Sequence, residues 1–281
     1  MSAISSKLDQ LASAIPSLPG VIHEVKKALS DFDNPLTTIE QVLNKDPAFA
    51  ARVLKLANSA YHSFSFKIST ISQALMMVGL SELRSLLMAT SMIRVFKGIK
   101  NPGVNMTSFW RHSVACGICA RQLAVKQREL NAEEYFMMGL MHDLGRLILF
   151  CSMPEKMEQA CDMAKEKRIS ITDAELKVFS FNHADLSAQV LKEWKLPESL
   201  FEVVRMHHRP NPSSAHHRPA LIIHIADIIV DSMALGDSGE GIIAPATDAN
   251  LDVFQDAEAT IAAVMDEVDA MLEELVRIFV S

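Results

Sequence analysis

A chain of 281 residues is long enough for one large domain or two small ones with a substantial core. With 49% apolar residues it is no disordered chain, and a formal net charge of −7 with no basic run longer than Lys26-Lys27 or Lys165-Glu166-Lys167-Arg168 argues against nucleic acid as a partner, because phosphate backbones need clustered Lys and Arg. Cys116, Cys119, Cys151 and Cys161 are too sparse for a disulfide framework, the first twenty residues do not read as a signal peptide, and no uncharged apolar run reaches about 18 residues, so a cytoplasmic chain with no membrane span is expected.

In chain order, Thr37-x-x-Glu40 reads as a capping box. Asp46-Pro47 then reads as an N-cap followed by proline at the first helical position, opening a helix with Val53, Leu54 and Leu56 at helical intervals. Asn58-Ser59-Ala60-Tyr61 closes it as turn and packing chemistry. "ISTISQALMMVGLSELRSLLMATSMIRVF" predicts two helices split at Gly79-Leu80, with Ser81 capping the second. "KGIKNPGVN", residues 97–105, is turn chemistry and divides a helical half, 1–105, from a histidine-rich half, 106–235. A loop, 236–250, follows. Residues 251–281 form an acidic amphipathic helix whose stripe of Val264, Val268, Leu272, Leu275 and Phe279 packs on the module, a homodimer being the alternative. No long stretch alternates with period two and no repeat is present, so the fold class is all-α.

Most of the ten histidines lie in the second half. His112 falls in "SFWRHSVACGICARQLA", and His142-Asp143 in "EEYFMMGLMHDLGRLILF", each read as one helix. His183 lies in "FNHADLSAQVLKEW", His207-His208 end "LFEVVRMHHRPNP", and Asp227 sits inside "LIIHIADIIVDSM". A lone carboxylate among Leu, Met and Ile costs several kcal/mol unless paired or metal-bound, and Asp143 and Asp227 both face that problem. Pairing with Arg84, Arg146 or a backbone N–H group would solve it for Asp227. A single helical histidine is more often a hydrogen-bonded core or surface residue than a ligand. Recurrence on several helices favours a metal, because imidazole nitrogen and carboxylate oxygen suit divalent first-row ions and a carboxylate can bridge two of them. Adjacent side chains on one helix diverge by roughly 100°, so His142 and Asp143 reach a common cluster only if other helices cap it. Cys116-x-x-Cys119 reads as two small buried cysteines, and His216-His217 as solvated loop residues.

These residues, in this order, resemble the HD superfamily of helical metal-dependent phosphohydrolases: a first His (His112), a His-Asp pair (His142-Asp143) and a late Asp (Asp227), with the further histidines of binuclear members matching His183, His207 and His208. "IPSLPGVIHEV", "DPAFAARVLKLANSAYHSF", "ISTISQALMMVGLSELRSLL", "FWRHSVACGICARQLA", "MMGLMHDLGRLIL", "NHADLSAQVLKEWKLPESL" and "VVRMHH" together resemble an HDOD domain over about residues 10–230. The resemblance implies a helical HDOD fold with an HD-like bundle in the second half, and a bacterial signal-transduction or regulatory module. Cyclic-di-GMP hydrolysing relatives carry a Glu and a Gly-Tyr-Pro after the His-His pair and favour Lys where this chain has Arg146. Here "HHRPNPSSAHHRPA" lacks both features, so that activity is not expected.

The expected function is a regulatory module that keeps a divalent-metal site (Fe, Mn, Ni, Zn or Mg, as one ion or two) and, with no output domain recognised in the chain, acts on signalling proteins in trans. The alternative is a metal-dependent phosphohydrolase acting on a nucleotide or phosphodiester, with Asp143 at the reacting centre and Arg146 stabilising charge on the transferring phosphoryl group.

Overall fold

The structure, a computed structural model, describes residues 3–13, 15, 40, 43, 47–59, 61–62, 66–96, 103–237, 239, 251, 253–254 and 256–280. Thr37, Asp46 and most of the two expected loops lie outside these residues. All regular structure among them is helical, with no strand, and no single helix among them is long and apolar enough to cross a membrane. The chain divides into two compact units, one of residues 1–16 and 99–268 and the other of residues 17–98 and 269–281.

Helix α1 (Ala3–Ser13) belongs to the first unit. The second unit contains α2 (Pro47–Ala57), α3 (Ile71–Val78) and α4 (Leu80–Phe96). Asn58 follows α2 and does what the sequence suggested: its Nδ2 donates to the carbonyls of Leu54 and Ile68, both at 2.7 Å, and its Oδ1 accepts from the Ile68 N–H at 2.8 Å. Thr70 caps α3 by accepting from Gln73 N–H at 3.1 Å. The break between α3 and α4 falls at Gly79, as expected, and residue 81, read as the cap, is already the second residue of α4. Gly79, at φ +88°, ends α3 by donating to Leu75 O and starts α4 by accepting from Leu83 N–H at 3.1 Å. That positive φ turns the chain at one residue and leaves no room for a separate capping position.

The first unit is built around α5 (Met106–Lys126), capped by Asn105, whose Oδ1 accepts from Ser108 N–H at 3.1 Å. Its middle, from His112 to Ala120, is buried on every face, which marks a central helix. Helices α6 (Ala132–Met141) and α12 (His217–Ser232) pack on it. Gly139 permits the close approach of α6, since a Cβ there would stand 2.6 Å from the Cys116 carbonyl oxygen. Helices α7 (Leu144–Ser152), α8 (Pro154–Lys167), α9 (Ile171–Phe179), α10 (His183–Glu193) and α11 (Glu198–Met206) complete the unit. Helix α10 meets α7, α11 and α1, and Gln189 Nε2 donates to Asp9 Oδ1 at 2.7 Å. The N-terminal helix therefore joins the histidine-rich half in space, although the sequence boundary at 105 groups it with the other.

Helix α13 (Ala257–Val280) buries its whole predicted stripe of Val264, Val268, Leu272, Leu275 and Phe279. Glu267, on the same helix, accepts from Gln122 Nε2 and Lys126 Nζ at the end of α5, at 2.5 and 2.8 Å.

One expectation fails in an informative way. The segment 133–150 is not one helix: α6 ends at Met141 and α7 begins at Leu144, with Asp143 at φ −98°, ψ 7° between them. Ser187, on α10, bridges the break. Its hydroxyl donates to His142 O at 2.9 Å and accepts from Gly145 N–H at 2.7 Å, meeting backbone groups that an unbroken helix would have paired. Gly145 lets α10 come this close, because a Cβ there would lie 2.1 Å from His183 O and 2.7 Å from Ser187 N, both rigid backbone atoms. Gly145→Ala is expected to destabilise the fold by about 3 kcal/mol, read as a lower denaturant midpoint in helical circular dichroism; an unchanged midpoint would refute this packing.

Candidate metal centre

The seven residues expected at a metal site come together inside the first unit. His112 projects from the middle of α5, and Asp227 from the middle of α12. His142 and Asp143 occupy the break between α6 and α7, and His183 is the first residue of α10. His207 and His208 follow the end of α11. His112, His142, Asp143, His183 and His207 are each 0% exposed, Asp227 is 4% exposed, and His208 is half-buried. The helix break frees His142 and Asp143 from the fixed divergence of neighbouring helical side chains, which is why both can serve one cluster.

The donor atoms fall into two groups, each with all its donors within 4.8 Å of one another: His112, Cys116, His142 and Asp227 in one, Asp143, His183, His207 and His208 in the other. In the first, Asp227 Oδ1 lies 3.1 Å from His112 Nε2 and 3.3 Å from His142 Nε2. In the second, Asp143 Oδ1 lies 3.1 Å from His183 Nε2 and 3.9 Å from His207 Nε2, and the Nε2 atoms of His183 and His208 are 2.8 Å apart. The other oxygen of Asp143, Oδ2, faces the first group, 3.3 Å from His142 Nε2 and 4.0 Å from His112 Nε2. Donors bonded to one ion at roughly 2.0–2.3 Å sit about 3 to 4.6 Å from each other, so these spacings, apart from the 2.8 Å between His183 and His208, fit a cation in each group.

The outward nitrogens explain why the inner ones are free. His142 and His207 both stand at a helix C-terminus, and each donates its Nδ1–H to the carbonyl three residues back, Gly139 O and Val204 O, at 2.7 Å. A carbonyl can only accept, so Nδ1 carries a proton in both and Nε2 is the nitrogen that faces the cluster. His183 Nδ1 meets Glu175 Oε2 at 2.7 Å, and the same oxygen accepts from the His183 backbone N–H at 2.9 Å. An Asn182–Asp185 capping box holds that residue at the head of α10. His112 Nδ1 lies 3.4 Å from Asp231 Oδ1. Buried and without a hydrogen bond are His142 Nε2, Asp143 Oδ1 and His207 Nε2, three atoms that suit a cation and that protein donors leave unused.

The electrostatics favour positive charge here. Burial alone would lower the His142 pKa, but Asp143 and Asp227 outweigh it and hold the imidazole well above its ordinary value. Burial and Arg146 push His183 down, yet Glu175 and Asp143 raise it to about 9. Burial would raise both Asp143 and Asp227; the positive neighbours, Arg146 and His142 for the first and His142 and His112 for the second, bring them well below the carboxylate range. His207 moves the other way, down to about 3, through burial and the charge on His142 and His183, which keeps it in the neutral form that ligates metals. Asp231 is pushed up to about 8 by burial and by Asp227 and Asp143.

Arg146 points into the centre. It is 0% exposed; Nη1 donates to Asp143 Oδ2 at 3.1 Å and Nη2 lies 3.1 Å from His183 Nε2. His216 and His217 stand at the start of α12, outside both donor groups. The sequence reading missed four contributors. Cys116 and Asp231 were within reach of the helical i, i+4 rule, from His112 and Asp227 respectively. Glu175 and Ser187 carry no local signal, since only the tertiary fold brings them to the site. Glu175→Gln is expected to weaken divalent-metal affinity about 10- to 100-fold by loosening His183, read by competition with a chelator; wild-type affinity would show that Glu175 is not the group that orients it.

The family model of the HDOD domain matches residues 15–210, and Asp227 and α13 lie beyond it. Among solved structures, an HDOD domain protein with unknown function from Geobacter sulfurreducens has the same fold, with a TM-score of 0.75 at 22% identity over 97% of each chain. A Shewanella amazonensis protein named as a candidate phosphohydrolase superposes with a TM-score of 0.76 at 22% identity, covering 99% of this chain and 98% of its own. An uncharacterized protein of Treponema pallidum is 26% identical over 221 residues, 78% of this chain; the match spans only 42% of that relative's length. The family model covers well over half of the residues, and the helices carry the same fold: the chain belongs to the HDOD domain family.

Proposed function

We propose that the protein is a regulatory module of bacterial signal transduction, in which a buried divalent-metal centre holds the helical bundle in the shape that signalling proteins recognise in trans. The observation that carries this reading is the number of donors: each group gathers four protein ligand atoms within 4.8 Å of one another. Structural metal sites are closed, whereas catalytic ones keep a position open for water and substrate. The donors also come from five separate places in the unit, α5, the α6–α7 break, the head of α10, the end of α11 and α12, so an ion would tie together elements far apart in sequence. The two oxygens of Asp143 face the two donor groups, which supports a binuclear centre bridged by this carboxylate. The donor set suits Fe, Mn, Ni or Zn better than Mg, which prefers an all-oxygen shell.

The bridging position of Asp143 also favours a second reading, a metal-dependent phosphohydrolase acting on a nucleotide or phosphodiester. Divalent ions held there would lower the pKa of water toward neutrality. In that reading the half-buried His208 lies at the edge nearest solvent, and Arg146 must turn from Asp143 to meet a phosphoryl oxygen.

Protein shown to hold metal separates the two readings when offered a panel of nucleotides and phosphodiesters with Mn, Fe, Ni, Co or Mg added. The regulatory reading expects no turnover above buffer, and chelation that lowers the melting temperature by several degrees, as loss of about 2 kcal/mol or more would for a chain of this size. Turnover abolished by Asp143→Ala would overturn it in favour of the enzyme.

A further inference from the structure

We propose that Cys116 is a metal ligand, so that the first donor group is a mixed site of two imidazoles, a carboxylate and a thiolate, selective for a zinc-like ion. The inference rests on the metal reading above and adds a residue and a metal class to it.

Cys116 stands four residues after His112 on α5 and so shares its face. It is 0% exposed. Its Sγ lies 3.4 Å from His112 Nε2 and 3.7 Å from Asp227 Oδ1, and these donors with His142 Nε2 all fall within 4.8 Å of one another. A sulfur bonded at about 2.3 Å and a nitrogen or oxygen bonded at about 2.0–2.1 Å to one tetrahedral ion are roughly 3.5 Å apart. An independent observation points to the same spot: His142 Nε2 is buried, lacks a hydrogen bond, and is aimed at Asp227 from 3.3 Å. Cys119 is equally buried but is not part of the group. The competing account is a weak S–H donor resting on Asp227. It leaves His142 Nε2 unanswered.

The chemistry balances without an oxidant. The thiol gives up its proton to solvent as the sulfur donates an electron pair to the divalent ion, and neither sulfur nor metal changes oxidation state. Soft thiolate favours Zn²⁺, and its spectroscopic stand-in Co²⁺, over Mg²⁺ or Mn²⁺. The second group has no sulfur, so the two halves of the centre should differ in metal preference.

Cobalt gives the test. The full chain loaded with Co²⁺ should show a sulfur-to-cobalt charge-transfer band in the near ultraviolet. Replacing Cys119, Cys151 and Cys161 together by Ser leaves Cys116 as the sole cysteine, and that variant should keep the band. Cys116→Ser should lose it and bind Zn²⁺ more than about tenfold more weakly, with Mn²⁺ affinity little changed. If Cys116→Ser does not fold, the sole-cysteine variant still decides. Wild-type protein that takes up cobalt without a sulfur band overturns the ligand assignment and leaves the metal centre standing. Wild-type protein that takes up neither cobalt nor zinc overturns both.

Discussion

A carboxylate with no exposed surface, Asp143, sits among four imidazoles and a guanidinium at the centre of the first unit. A buried carboxylate is tolerated only beside compensating positive charge or donors. Much of the surrounding architecture is arranged to hold this one in place. The helix that would have run through residue 143 is broken there, Ser187 ties the broken ends to α10, and Gly145 and Gly139 let the neighbouring helices approach closely enough for their histidines to reach. Asp143 Oδ1 still lacks a hydrogen bond, as do His142 Nε2 and His207 Nε2. These inner atoms suit a cation, while the outer nitrogens of His142, His183 and His207 are engaged by other partners.

The same device recurs with different parts. His142 and His207 each close a helix by giving Nδ1–H to the carbonyl three residues back, and His183 gives its Nδ1–H to Glu175. Each fixes the tautomer and points Nε2 inward, so three helix ends supply pre-oriented donors. Arg146 complicates the picture usefully. Its guanidinium donates to Asp143 Oδ2 with no exposed surface of its own, so part of the positive charge around this carboxylate is itself fully buried. The side chains that meet at this centre come from α5, the α6–α7 break, α10, the end of α11 and α12.

Much of this was legible in the residues. Helical spacing and the scarcity of alternation indicated the all-α class, Gly79 marked the α3–α4 break, and the stripe from Val264 to Phe279 is buried as its periodicity suggested. The seven candidate ligands could be picked out because His and Asp in apolar helices are costly and therefore conspicuous. What escaped reading was set by tertiary structure. The break at Asp143 has no proline or central glycine to announce it, and the backbone groups it frees are met by the hydroxyl of Ser187, 44 residues on from Asp143 by chain numbering. Glu175 reaches His183 from another helix, and Cys116 looked like packing because a buried cysteine usually is. The turn into α4 falls at Gly79, two residues before the position read as its cap.

The central claim is that Asp143 joins two donor groups around bound cations. Elemental analysis of the purified full chain, beside an Asp143→Ala variant of matched helical content, tests it most directly. The account predicts close to two divalent ions per wild-type chain and a loss of most of them in the variant. A folded wild-type chain that carries no stoichiometric metal after supply of Zn, Mn, Fe, Ni and Co, or a variant that keeps the full complement, would contradict it.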